Sequence, residues 1–71
     1  MKKQYRLINL DCANCAAKME QEIARLPGVQ SAAVNFMTAK LTLEADDARF
    51  PDLKTEAAAV IRRIEPDCQL R

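Results

Sequence analysis

The sequence predicts an α/β two-layer sandwich, an antiparallel sheet carrying two helices on one face in the order β-α-β-β-α-β. Two stretches repeat apolar residues at intervals of three and four, the spacing of a helix with one buried face. Three stretches alternate apolar and polar residues, the spacing of a half-buried strand. Between the second and third of these lies only a short turn, which implies an antiparallel hairpin. A small sheet with both helices on one side buries every one of these stripes.

From Lys3 to Leu7, Tyr5 and Leu7 fall on one side and Gln4 and Arg6 on the other, giving a first strand. Asn9 to Cys12 reads as a loop. From Ala13 to Leu26, Ala16, Met19, Ile23 and Leu26 form an apolar stripe among charged neighbours, giving a first helix. Pro27-Gly28 stops it, because Gly suits the position just past a helix and Pro cannot continue one. Val29 plugs the turn. Ala32, Val34 and Phe36 alternate with Ser31, Ala33 and Asn35 in a second strand; after a turn at 37–39, Leu41 and Leu43 alternate with Lys40, Thr42 and Glu44 in a third. Ala45 to Phe50 reads as a polar loop. Pro51 opens a second helix, where its missing N–H is harmless. Leu53, Ala57, Val60, Ile61 and Ile64 define its buried face, and it stops before Pro66. Cys68 to Arg71 leaves room for only a stub of a fourth strand.

Seventy-one residues make one small domain, 1–71. A chain of this size buries only about 60% of the surface its unfolded form exposes. The short last strand fits either an abrupt end or one module cut from a longer chain. With 49% hydrophobic and 30% charged residues, the composition is that of a folded globular domain. Lys and Arg total 11 against 10 Asp and Glu, so no basic excess exists to neutralise nucleic-acid phosphates. Tyr5, Phe36 and Phe50 are too scattered for a base-stacking platform. No apolar run approaches the roughly 20 residues that cross a bilayer, and no signal-peptide pattern follows Met1-Lys2-Lys3. A cytoplasmic, monomeric module with no membrane insertion is the expectation.

The residues that carry chemistry are in "NLDCANCAAKM". The cysteine count is three, which argues against a closed disulfide framework, and in a reducing compartment paired thiols point to metal or redox chemistry. Cys12 ends the loop and Cys15 lies in the first helical turn. Unpaired N–H groups and the positive end of the helix dipole there favour thiolate over thiol and lower both sulfur pKa values. At zinc–sulfur distances near 2.3 Å two sulfurs sit roughly 3.8 Å apart, within reach of a C-x-x-C turn, and the small Ala13 and Asn14 let that turn close. With no His in the chain, a metal would be held by sulfur and carboxylate, which selects soft or borderline ions. Three other readings compete. The cysteines could be incidental, although neither sits on the apolar stripe. They could form a redox dithiol, but no aromatic stands directly before Cys12. A structural zinc site would need four closed ligands, hence Asp11 or a second chain.

Three segments, "YRLINLDCANCAAKME", "LPGVQSAAVNF" and "VIRRIEPD", together resemble the heavy-metal-associated domain. That module is shared by copper chaperones, mercury-handling proteins and the N-terminal tails of heavy-metal P-type ATPases. The resemblance spans about Tyr5 to Leu70. It implies a ferredoxin-like β-α-β-β-α-β fold and a non-catalytic module that takes up a soft ion at Cys12 and Cys15 and passes it on by ligand exchange. Its partner would be the transmembrane and catalytic part of a heavy-metal ATPase, or another metal carrier. Copper-handling members usually carry Met-Thr before the first cysteine. Leu10-Asp11 here resembles the zinc, cadmium and lead(II) exporters, and a divalent ion wants more charge and more ligands than copper(I) does. Zinc, cadmium or lead is therefore the expected cargo, with a copper(I) chaperone as the alternative. Asp11 is either an oxygen ligand or the N-cap of the first helix.

Two departures from the family pattern matter. Asn9 stands where a Gly often precedes the loop, a mild change because Asn tolerates left-handed backbone. After the second helix the family commonly shows Gly followed by Tyr, Lys or Phe close to the metal. Here "EPDCQL" is shortened and puts Cys68 at that place, either as a third sulfur ligand or as a residue filling the end of the sheet. Met19 falls on the helix stripe and belongs to the core; Met37 lies in the hairpin turn without a partner. Asp46, Asp47, Arg62 and Arg63 read as solvated faces.

Overall fold

A computed structural model describes residues 2–71; Met1, part of the start read above as cytoplasmic, lies outside them. The alternation of the opening stretch becomes strand β1, Lys2–Ile8, with Leu7 buried and Tyr5 half-buried on one face. Its partner is β3, Lys40–Ala45, whose Leu41, Leu43 and Ala45 are fully buried. The two run antiparallel, with Tyr5 opposite Leu41 and Arg6 opposite Lys40. Strand β2, Val29–Asn35, pairs with the other side of β3, and the two-residue β4, Gln69–Leu70, pairs with β1. The order across the antiparallel sheet is β2-β3-β1-β4. Helices α1 (Ala13–Ala24) and α2 (Phe50–Ile64) cover one face, so the expected sandwich is the fold.

The stripe of α1 buries Ala16, Met19 and Ile23. Full burial of the Met and Ile side chains stabilises by roughly 1.5–3 kcal/mol each. The helix ends two residues before the expected Leu26. Arg25 and Leu26 donate to the carbonyls three residues back, Glu22 and Ile23, which tightens the last turn ahead of Pro27. The α2 stripe is buried at Leu53, Ala57, Val60 and Ile61, and half-buried at Ile64. Glu20 of α1 reaches the outer edge of the sheet and accepts the Val34 N–H at 2.8 Å. That bond satisfies a donor which an edge strand would otherwise leave open.

Three local expectations are refined or corrected. Val29 packs against the core after the turn as read, but it does so as the first residue of β2, opposite Ala45, with a register shift before Ser31. Phe36, expected to face inward from the strand, lies beyond it and is 38% exposed. The chain turns there because the Asn35 side-chain oxygen accepts the Thr38 N–H and Ala39 takes a φ of 53°. Finally, the stretch before Pro51 is ordered. A 3-10 turn at Asp47–Arg49 runs straight into α2, and Phe50 is a core residue, 2% exposed.

Register fixes which loops meet. Arg6 faces Lys40, and the Leu7 N–H donates to the Ala39 carbonyl at 2.7 Å, so β1 ends where β3 begins. The loop before α1, the β2–β3 turn and the turn after α2 therefore share one end of the sandwich. At the opposite end, Gly28 adopts a φ of 91°, and an added Cβ would stand 2.8 Å from Arg49 Nε. That guanidinium donates to the Pro27 carbonyl at 3.0 Å and meets Asp52 and Glu56 at 3.4 and 3.5 Å. Gly28→Ala is expected to destabilise the fold by about 1–2 kcal/mol, the penalty of left-handed backbone for an L residue. A denaturant midpoint lowered without a change in slope would show it.

Candidate metal-binding site

Asn9 turns the chain out of β1 with a φ of 64°, a conformation Asn takes more readily than most residues. Its side-chain amide donates to the Asp67 carbonyl at 3.3 Å, tying the loop to the turn after α2. The Asp11 N–H donates to Glu65 Oε1 at 3.4 Å, a second tie between the same two segments. Leu10 between them packs against the core, which leaves Asp11 and Cys12 at the surface side of the loop.

The cap of α1 is a sulfur. Cys12 has extended backbone, and its Sγ accepts the Cys15 N–H at 3.2 Å. This corrects the reading of Asp11 as N-cap: the acid stands one residue too early, and its exposed carboxylate takes no cap bond. The thiol of Cys15 also donates to Cys12, and together with the Cys15 and Asn14 backbone groups it holds the Cys12 pKa below the ordinary thiol value. Cys15 goes the other way. The hydrogen bond it donates to Cys12, partial burial, and the charges of Cys12 and Glu65 raise its pKa, with Lys18 the opposing influence. The expectation that the helix start lowers both thiols therefore holds only for Cys12. The two sulfurs therefore differ in acidity, Cys12 the more acidic. A soft cation that takes both as thiolates would release protons on binding.

Cys68 lies directly behind this loop and is fully buried, 0% exposed, within the core. Burial first, then the charges of Glu65 and Asp11, push its thiol pKa up. The geometry is thus the one in which Cys68 fills the end of the sheet. Among the described residues, no three Cys, Asp or Glu side chains stand together as a preformed ligand group.

Glu65 is the residue that sequence reasoning passed over. It caps α2, is half-buried, and its Oε2 is buried with no hydrogen-bond partner among the described residues. Its charge bears on Cys12, Cys15 and Cys68 alike. One signal could have found it: an acid placed between the last helical residue and Pro66, at the end of the fold where the thiols lie.

Residues 4–68 match the heavy-metal-associated domain family. The chain belongs to that family. Heavy-metal-associated domains are metal-binding modules rather than catalytic ones, and the C-x-x-C pair is in its place. Two cadmium, zinc and cobalt-transporting ATPases are similar to it. The one from Bacillus subtilis is 32% identical over 71 residues, all of this chain, and the one from Helicobacter pylori is 38% identical over 68 residues, 96% of it. The chain spans about a tenth of the length of these relatives, 10% and 9%. Among solved structures, the N-terminal domain of PacS from Synechocystis is 27% identical. The superposition covers 100% of this chain and 94% of that one, with a TM-score of 0.72. In this heavy-metal-associated domain, no helix among the described residues is long and apolar enough to cross a membrane.

The opposite pKa shifts of the two thiols set an order of reactivity. Cys12 should alkylate faster than Cys15 below the ordinary thiol pKa, and Cys68 only on unfolding. Because the Glu65 carboxylate raises both surface thiols, Glu65→Gln lowers their pKa values and shifts the pH–rate profile of alkylation toward acid. Mass spectrometry of partly alkylated protein over a pH series resolves the three sites.

Proposed function

We propose that the chain is the cytoplasmic metal-receiving domain of a heavy-metal-exporting P-type ATPase, with zinc, cadmium or lead(II) as cargo. The observation that carries this reading is the thiol pair at the start of α1. Cys12 and Cys15, joined by the Cys15 N–H to Cys12 Sγ bond, stand half-buried at one end of the fold, where an ion can enter and leave by ligand exchange. The relatives named above transport cadmium, zinc and cobalt, which supports a divalent cargo over copper(I).

Cys12 and Cys15 are the primary ligands in this reading. A divalent ion also wants oxygen donors and negative charge. Asp11, adjacent to Cys12, provides one carboxylate. Glu65 provides a second, and its unpartnered buried oxygen fits a group awaiting a cation. Cys68 would join only if the turn from Glu65 opened to expose it. The catalytic and membrane-spanning parts of such an ATPase would be the partner, as an ion held by two thiols and carboxylates passes to competing ligands one bond at a time.

Asp11→Ala is expected to weaken zinc and cadmium binding by roughly tenfold or more, the scale on which groups around a metal matter, and copper(I) binding far less. Competition titrations against chromophoric chelators measure all three; an equal loss for every ion removes Asp11 from the ligand set. With the thiol of Cys68 in the core, Cys68→Ala should keep the cadmium–thiolate charge-transfer absorption of the parent, whereas Cys12→Ser should halve it. A drop in Cys68→Ala would mean that the turn opens on loading.

A further inference from the structure

The open face of the sheet, opposite the helices, carries a charge pattern that neither the core nor the thiol site uses. Cross-strand register puts Lys40, Arg6 and Arg71 side by side on β3, β1 and the residue after β4. Arg6 is directly opposite Lys40, and Arg6 and Arg71 exchange both backbone hydrogen bonds at 3.2 and 2.8 Å. All three side chains are exposed. Like charges directly opposite one another weaken a sheet, and among the described residues none of the three has an acidic partner within ion-pair distance. Lys2 adds a fourth cation on this face; among the described residues Glu44 opposite it is the one acidic side chain there, and the 71-residue chain adds the α-carboxylate of Arg71. The helical side mixes both signs, with ion pairs from Arg63 to Glu22 and from Arg49 to Asp52 and Glu56, while Lys18, Arg25 and Arg62 stand outside those pairs. A chain of net charge +1 has therefore gathered its surplus on one surface.

That surface is the side of the four-stranded sheet that the helices leave uncovered. Two clefts of the molecule lie off this row, one between α1 and α2 beside Lys18 and Arg63, the other between α2 and β4 beside Ala58 and Leu70. Strands about 4.8 Å apart hold the row within roughly 10 Å, close to one Debye length at physiological salt, so its charges act together. An extended acidic peptide would call for a groove to seat it. A row of adjacent cations on an uncovered sheet face complements an extended anionic surface.

We propose that this face, centred on Arg6, Lys40 and Arg71, docks the domain peripherally on an anionic lipid surface, without insertion. Contact with the headgroups relieves the repulsion built into the row. Because the row stands at the end of β1 that leads into the cysteine loop, a domain seated this way holds Cys12 and Cys15 at the rim of the contact. The proposal goes beyond the metal reading and does not depend on it, since no sulfur takes part.

The test is co-sedimentation of the metal-free 71-residue chain with vesicles of phosphatidylcholine alone, or with about one third phosphatidylglycerol. The chain should pellet with the anionic vesicles only, and rising salt should release it. Neutralising the row in Arg6→Gln/Lys40→Gln/Arg71→Gln should weaken partitioning by roughly a hundredfold, about fivefold for each cation lost near the surface. A triple variant of equal charge on the helical side, Lys18→Gln/Arg25→Gln/Arg63→Gln, and Cys12→Ser should both bind like the parent. Arg6→Gln alone should raise the denaturation midpoint while lowering binding, opposite signs that loss of folding cannot produce. Equal losses in the two triple variants, pelleting with neutral vesicles, or retention on immobilised polyglutamate with none on vesicles would each overturn the proposal, the last in favour of an acidic protein surface.

Discussion

The constraint on which the molecule depends is the register of β1 against both its neighbours. Placing Tyr5 opposite Leu41 and Leu7 opposite Leu70 turns the apolar members of three strands toward the helices. A slip of one residue would turn that whole set outward, since side chains alternate with a period of two. The same register brings the end of β1 to the start of β3 and beside β4. Loops far apart in sequence, around residues 9–15, 36–39 and 65–68, are thereby gathered at one end. The side-chain ties from Asn9 to Asp67 and from the Asp11 N–H to Glu65 then lock two of them together. Core packing and site assembly are one event.

At that end, a sulfur does the work that an oxygen usually does. The N-terminus of a helix needs an acceptor for its free N–H groups, and Cys12 Sγ supplies it through the Cys15 N–H. The bond has two effects. It gives α1 a defined start, and it stabilises negative charge on the first thiol, while the second is shifted the opposite way. Glu65 opposes this by raising both thiols. The loop is thus poised between a helix start that draws negative charge in and a carboxylate that resists it. A cation relieves the second without disturbing the first.

Periodicity made the scaffold legible. The stripe Ala16, Met19, Ile23 and the stripe Leu53, Ala57, Val60, Ile61 are buried as read, and the alternation in β1 and β3 assigns their faces correctly. What period two and period 3.6 do not encode is the handing of one element to the next. Phe36 lost its place in β2 because the Asn35 side chain turned the chain, and Phe50 became core because a 3-10 turn extended α2 backward to it. At the site, Cys12 and Cys15 were visible as a spaced pair of one residue type. The asymmetry of their protonation was not, because it arises from which sulfur faces the backbone N–H. Glu65 was hidden for a simpler reason. Its importance comes from a contact with Asp11, 54 residues away in sequence, and no local pattern reports such a distance.

The buried position of Cys68 bears on the choice between holding an ion and handing it on. A third thiolate preformed beside Cys12 and Cys15 would close the coordination sphere of a divalent ion with strong, slowly released ligands. The fold instead places that sulfur in the core, where burial and two nearby carboxylates oppose its ionisation. In the proposed reading, two thiols with carboxylates rather than a third sulfur beside them would leave a coordination sphere whose weaker oxygen bonds break first. A receiving group could then enter before either sulfur let go. The shortened turn after α2 brings Glu65 to the cysteine loop and seats Cys68 in the core, an arrangement that on this reading favours transfer over storage.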